Sequence, residues 1–220
     1  MGFLNKLFGN SGKQDLQKAN LDAAQTTGAI NLTRIYPRIK GFYDDENPDP
    51  SPNTGNPEIT LSLDDSPVMK PLAKGIGICY MKDMGDRYEL ILNRDLSEEL
   101  TIEVLHQTAL KNMAIAVNDR TQVNGDPSDM MIVTNGGDFE ATMLLADFLW
   151  DQIEPLFQDS ICVAIPTNDL LFIAPKNNPE AREGLKNLVR QYFENSETKG
   201  LIVKNIYERV NGEWIFLESA

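Results

Sequence analysis

One histidine, His106, and two cysteines, Cys79 and Cys162, are the whole supply of imidazole and thiol in 220 residues. A structural zinc site takes four ligands, nearly always Cys or His, so three such residues cannot build one unless carboxylates complete it. The cysteines sit in apolar runs, "GIGICYM" and "SICVAIP". Neither run offers a polar neighbour to activate a thiol, which argues for buried, reduced cysteines over a Cys-His nucleophile pair. The chain also lacks GxSxG, HExxH, CxxC and any Ser-His-Asp order, so catalysis by those routes has no sequence support. No apolar run approaches the ~20 residues that cross a bilayer. The opening "MGFLNKLFGNSGK" has no h-region or small-residue cleavage site, and Lys6 stands where a myristoylation signal wants Ser or Thr. These absences predict a cytoplasmic protein. The first residues read as a docking or tail helix, with weak membrane-surface contact through Phe3, Leu4, Leu7 and Phe8 as the alternative.

Positive charge is scarce too. Twenty Lys and Arg oppose 33 Asp and Glu, a net charge of -13. Residues 1 to 40 carry six bases and two acids, whereas residues 41 to 66 carry seven acids and no base. An acidic body repels phosphate backbones, which excludes nucleic acid as an expected partner and leaves a basic protein as the favoured kind. No cofactor is implied.

What is present is organised in three stretches. Residues 1 to 27 form an amphipathic or polar arm. Residues 28 to 57 hold an edge strand, with Pro37 marking its edge character, and then the acidic, proline-rich "YDDENPDPSPNTGNPE". The stretch 44 to 49 lacks the alternating ligands and central glycine of a calcium loop. Residues 58 to 220 make the main domain. There "GIGICYMKD" and "RYELILN" read as strands around Met84-Gly85-Asp86, and "MMIVT", "SICVAIP" and "LLFIAP" as three more. Ser97 is expected to cap a helix over residues 98 to 117, with Ile102, Leu105, Ala109, Met113 and Ala116 as its apolar stripe. A second helix is expected over 138 to 157, and a third opens at Asn178-Pro179 with Ala181, Leu185, Leu188, Val189 and Tyr192 inward. Asn211-Gly212 between "LIVKNIYERV" and "EWIFLE" is a hairpin signal. The class is α+β, mostly antiparallel sheet with helices. The order strand, strand, helix, strand recurs at 75 to 134 and 160 to 209, which suggests two ββαβ units joined by a central buried helix.

The segment "VTNGGDFEATMLLADFLW" (133 to 150) poses the sharpest functional question. Strand, glycine turn and helix together resemble a phosphate cradle. Yet Asp138 and Glu140 follow the glycines, and no Lys or Arg lies between Arg120 and Lys176. Carboxylates at a helix N-terminus occupy the place an anion would need. The expectation is a structural corner with Asp138 as N-cap. Beyond it, Glu140, Asp147, Asp151 and Glu154 form an acidic strip on an otherwise apolar helix, suited to a solvated face or a basic partner. Their spacing does not assemble a two-metal centre.

Several segments in order resemble the uncharacterised bacterial YtpQ-like proteins: "TRIYPRIK" (33 to 40), "PLAKGIGICYMKDMG" (71 to 85), "TALKNM" (108 to 113), "GGDFEATMLL" (136 to 145) and "VAIPTNDLLFIA" (163 to 174). The resemblance implies a shared fold and a bacterial origin, and no reaction. It nominates Arg34, Tyr36, Asn112, Asp138, Glu140 and Asp169 as a polar network or interaction site, with Arg34 expected to reach Asp138 or Asp169. The leading reading is a non-enzymatic adaptor, chaperone-like or regulatory factor. The alternatives are a metal-dependent enzyme gathering Asp138, Glu140, Asp169 and perhaps His106, or a structural part of a larger assembly.

Overall fold

The computed structural model describes residues 31–42, 62–117 and 120–220. The arm with Phe3, Leu4, Leu7 and Phe8, and the acidic stretch 44 to 49, lie outside the described residues. The described chain forms two antiparallel sheets and three α-helices, an α+β fold. The first sheet holds β1 (Ile35–Gly41), β2 (Met69–Ala73), β3 (Ile76–Asp83) and the short β4 (Tyr88–Leu90), with β3 paired to all three others. Pro37 and Pro71 fall in β1 and β2, at the two ends of the order β1-β3-β2, where a missing N–H costs no interior ladder bond.

The second sheet runs β10-β9-β7-β8-β6-β5, from β5 (Gln122–Gly125), β6 (Met131–Thr134), β7 (Ile161–Ala164), β8 (Leu171–Pro175), β9 (Asn205–Val210) and β10 (Glu213–Ser219). Every pairing in it is antiparallel. The central strands β7 and β8 are buried along their whole length, as a strand covered on both faces must be. Helix α1 spans Ile102–Val117, α2 spans Asp147–Ile153, and α3 spans Pro179–Glu194. On one face of the second sheet, Ala181, Leu185 and Val189 of α3 pack on Cys162, Ala164, Phe172, Ala174 and Ile206. Asn178 caps α3 by accepting from the N–H groups of Glu180 and Ala181, with Pro179 in the first turn, as its sequence predicts. Asn211 (φ 52) and Gly212 (φ 84) make the β9–β10 turn in the left-handed region expected of Asn-Gly.

Three expectations change. Ser97 closes a local turn by accepting from Leu100 N–H, and the helix starts later, with Thr101 Oγ1 accepting from Val104 N–H. Its buried stripe is Leu105, His106, Ala109, Asn112, Met113 and Val117, while Ile102 is exposed. The helix expected over 138 to 157 is broken into a 3-10 turn (Ala141–Leu145), α2 and a second 3-10 turn (Glu154–Leu156). Ala146 leaves the helical region at φ -93, ψ 74, and two indoles donate to carbonyls at the break: Trp150 Nε1 to Met143 O (2.9 Å), which also accepts from Ala146 N–H, and Trp214 Nε1 to Leu144 O (2.8 Å). Finally, β5 was not foreseen in the polar stretch "QVNG". With β5 added, the stretch 75 to 134 runs strand, strand, helix, strand, strand, and the pairing differs too: β9 joins β7 after α3, whereas β6, the strand expected to close the first unit, joins β5 and β8 in the other sheet.

The contacts divide the chain into two compact units. One takes the described residues within Met1–Arg38, Pro57–Lys70 and Cys79–Thr121, and the other those within Ile39–Asn56, Pro71–Ile78 and Gln122–Ala220.

Candidate functional site

The glycine corner lies where β6 ends. Gly136 (φ 82) and Gly137 (φ 90) turn the chain through the left-handed region. A Cβ at either would meet nothing within 4 Å, so backbone angle and not crowding demands glycine here. The turn points three N–H groups inward at one carboxylate. Glu140 accepts from Asn135 N–H (2.6 Å) and Gly137 N–H (2.7 Å) through Oε1, and from Phe139 N–H (3.1 Å) through Oε2. At 2% exposure it is almost wholly enclosed. A nest of backbone donors is a ready anion site, and the protein fills this one with its own side chain. The acid expected at that entrance was Asp138; it is exposed, and Glu140 does the work instead. Glu140 therefore leaves the acidic strip altogether.

The two longest motifs of this region meet through backbone. Ala141 N–H donates to Asn168 O (3.2 Å), Asn168 N–H to Gly200 O (3.1 Å) and Ile202 N–H to Pro166 O (2.8 Å). Thr167 Oγ1 donates to Asp169 Oδ1 at 2.6 Å. Asp138 and Asp169 are both exposed beside this seam. Glu140 has both oxygens committed to backbone donors, so it cannot join them in a metal-binding triad without unsatisfying its own corner. Among the described residues no group of three or more His, Cys, Asp or Glu is arranged to hold a metal ion.

What remains of the acidic strip is tied to a base that sequence reading passed over. Arg209 of β9 has a side chain only 6% exposed, with Nη2 at 3.1 Å from Asp147 Oδ1 and Nε at 2.7 Å from Glu154 Oε1. Its guanidinium carbon lies 5.7 Å from the Trp150 ring and 5.4 Å from the Trp214 ring, and the two indoles meet edge-to-face at 4.8 Å. Asp151 is exposed. The separation of 55 and more residues between Arg209 and its acids left no local signal for this cluster.

In the other unit, Arg34 meets a carboxylate, but that of Asp83 (3.4 Å) on β3 and not of the expected Asp138 or Asp169. Asn112 is 4% exposed and its Nδ2 donates to Leu32 O (2.7 Å) and Ile35 O (2.9 Å), fastening α1 to the start of β1. Replacing Asn112 by Leu orphans both carbonyls, and we expect a loss of ~1–3 kcal/mol in urea unfolding. Tyr36 is half-buried, and burial followed by the Asp83 charge raises its hydroxyl pKa. His106 is buried: its Nδ1 lies 2.9 Å from the Tyr80 hydroxyl, with the rings edge-to-face. Burial pushes the Cys162 thiol up to about 12, which removes it as a nucleophile near neutral pH.

These arrangements define an α+β protein whose most site-like corner is closed by its own glutamate. Among the described residues no helix is long and apolar enough to cross a membrane. Over 126 residues the chain is 28% identical to a UPF0354 protein of Staphylococcus saprophyticus, and 25% identical to UPF0354 proteins of Staphylococcus aureus strains MW2 and JH9. That name denotes an uncharacterised bacterial family, the level at which the sequence motifs pointed. The matched stretch is 57% of this chain and only 42% to 43% of those relatives, so the chain spans less than half their length. No family model and no solved structure matches.

Proposed function

We propose that this chain works through protein contact and not by catalysis, as an adaptor, chaperone-like or regulatory factor with a basic partner. The single observation behind this reading is the fate of Glu140. The one feature of the sequence that looked built for an anion is satisfied from within, and the same bonds withdraw Glu140 from the carboxylate set that a metal-dependent enzyme would need. Asp151, with the outer faces of Asp147 and Glu154, offers negative charge for a cationic surface.

The test is a thermal melt with and without millimolar Mg2+, Mn2+, Ca2+ and Zn2+. The midpoint is expected to stay put for every ion. A rise of several degrees for one ion, abolished in the Asp138→Asn, Asp169→Asn double variant, favours the enzyme class and sinks the proposal. On the positive side, an Asp151→Lys variant that melts like the wild type is expected to lose a partner that the wild type retains on purification.

A further inference from the structure

The single histidine of the chain is placed where its protonation has a structural consequence. Tyr80 of β3 is fully buried, and among the described residues its hydroxyl has one hydrogen-bond partner, His106 Nδ1 of α1 at 2.9 Å. His106 itself is 9% exposed. The charged and titratable groups facing the ring are Lys70 from β2, Glu103 one turn earlier on α1, and Tyr80. Lys70 Nζ lies 3.4 Å from Glu103 Oε2, and Gln107 Nε2 donates to Glu103 Oε1 at 3.0 Å. The Glu103 carboxylate is thus already engaged by a cation and an amide.

In the neutral tautomer that leaves Nδ1 bare, Tyr80 O–H donates to Nδ1 and the hydroxyl hydrogen is satisfied. An imidazolium carries a proton on Nδ1 and can no longer accept. The Tyr80 hydroxyl hydrogen is then left without an acceptor in a site no water reaches, and a positive charge is added beside Lys70. We propose that Tyr80 and His106 form an acid-sensitive latch that holds the first half of α1 on β3 and lets it go as His106 takes up a proton.

The direction of the pH effect follows from the same contacts. Burial, then Lys70, lowers the His106 pKa below its ordinary value. The unfolded chain therefore binds the proton first as pH falls. The latch contributes fully above the unfolded value of about 6.5 and weakens between there and the lowered folded value. His106 is the one side chain whose ordinary titration lies in this window, and ordinary carboxylates titrate below it.

The experiment is amide hydrogen exchange on the full chain at pH 7.5 and 5.5, corrected for intrinsic exchange. Protection of the amides from 103 to 110 is expected to fall several-fold at pH 5.5, up to the ~10-fold ceiling that proton linkage sets for a group of ordinary pKa ~6.5, with α3 unchanged. In His106→Asn, protection of the same amides should no longer depend on pH. Unchanged wild-type protection, a loss shared equally by α3, or a pH response kept by His106→Asn overturns the latch. Should that variant not fold, the His106 ring titration in the wild type decides. A midpoint at the ordinary ~6.5 with the Tyr80 ring signals unmoved also overturns it.

Discussion

Glu140→Ala is expected to be the most damaging single substitution at the glycine corner, lowering stability by ~3–6 kcal/mol in urea unfolding. The figure comes from three backbone N–H groups losing a charged acceptor, each costing ~1–3 kcal/mol, with Gly137 at the low end because its N–H is only part-buried. A loss of that size is a large part of the ~5–15 kcal/mol that holds a typical domain together. Glu140→Gln should be milder, at ~1–3 kcal/mol. Its amide oxygen can keep the two short bonds from Asn135 and Gly137, while its NH2 group faces Phe139 N–H donor to donor. The ranking Glu, Gln, Ala is the point. Equal losses for Gln and Ala would mean that packing, not the N–H groups, sets the cost. Emptying the nest should also create what the sequence only resembled. Acetate is expected to raise the melting temperature of Glu140→Ala more than that of the wild type, because a small carboxylate can then sit on the vacated donors.

Arg209→Ala carries the second large effect, ~2–4 kcal/mol, with Arg209→Met losing about half of that. The alanine removes a nearly enclosed side chain, two ion pairs and two ring contacts at once. A desolvated cation over an aromatic face is worth up to ~2 kcal/mol, whereas Asp147 and Glu154 are exposed enough for water to compensate part of their loss. Methionine keeps the stem against the indoles and so separates packing from charge. Arg209→Lys should not restore the wild type, since a single ammonium cannot reproduce the planar fork between two acids.

Local chemistry was the legible part of this sequence. Asn178-Pro179 and Asn211-Gly212 were readable because a cap and a tight turn depend on adjacent residues, and both formed as their side chains dictate. The α+β class followed from periodicity in the same way. The helix after the glycine corner was not readable, because its break at Ala146 is stabilised by indole donors from Trp150 and Trp214, the latter 70 residues from the carbonyl it caps. At the corner itself the acidic character was visible but its owner was mistaken. Asp138 has the better N-cap chemistry, yet the N–H groups converge on the position three residues after Gly137, the reach of a capping-box glutamate. Arg34 showed the same limit. That it would meet a carboxylate was a fair expectation from charge, but Asp83 lies 49 residues away on a neighbouring strand, where pairing register decides. The burial of His106 was not readable, because a stripe drawn from apolar residue types passes over an imidazole, and its partner Tyr80 lies 26 residues away on β3.

The chain has two tryptophans and one histidine. Trp150 and Trp214 touch each other within one contact unit, and His106 lies in the other. Nature has thus installed a separate spectroscopic label in each half, with no crosstalk by residue type. Indole emission follows the second sheet and its lining, while the lone imidazole resonance follows the first. Were the halves to melt as one, the two signals would trace a single curve; staggered midpoints would reveal a chain that comes apart in stages.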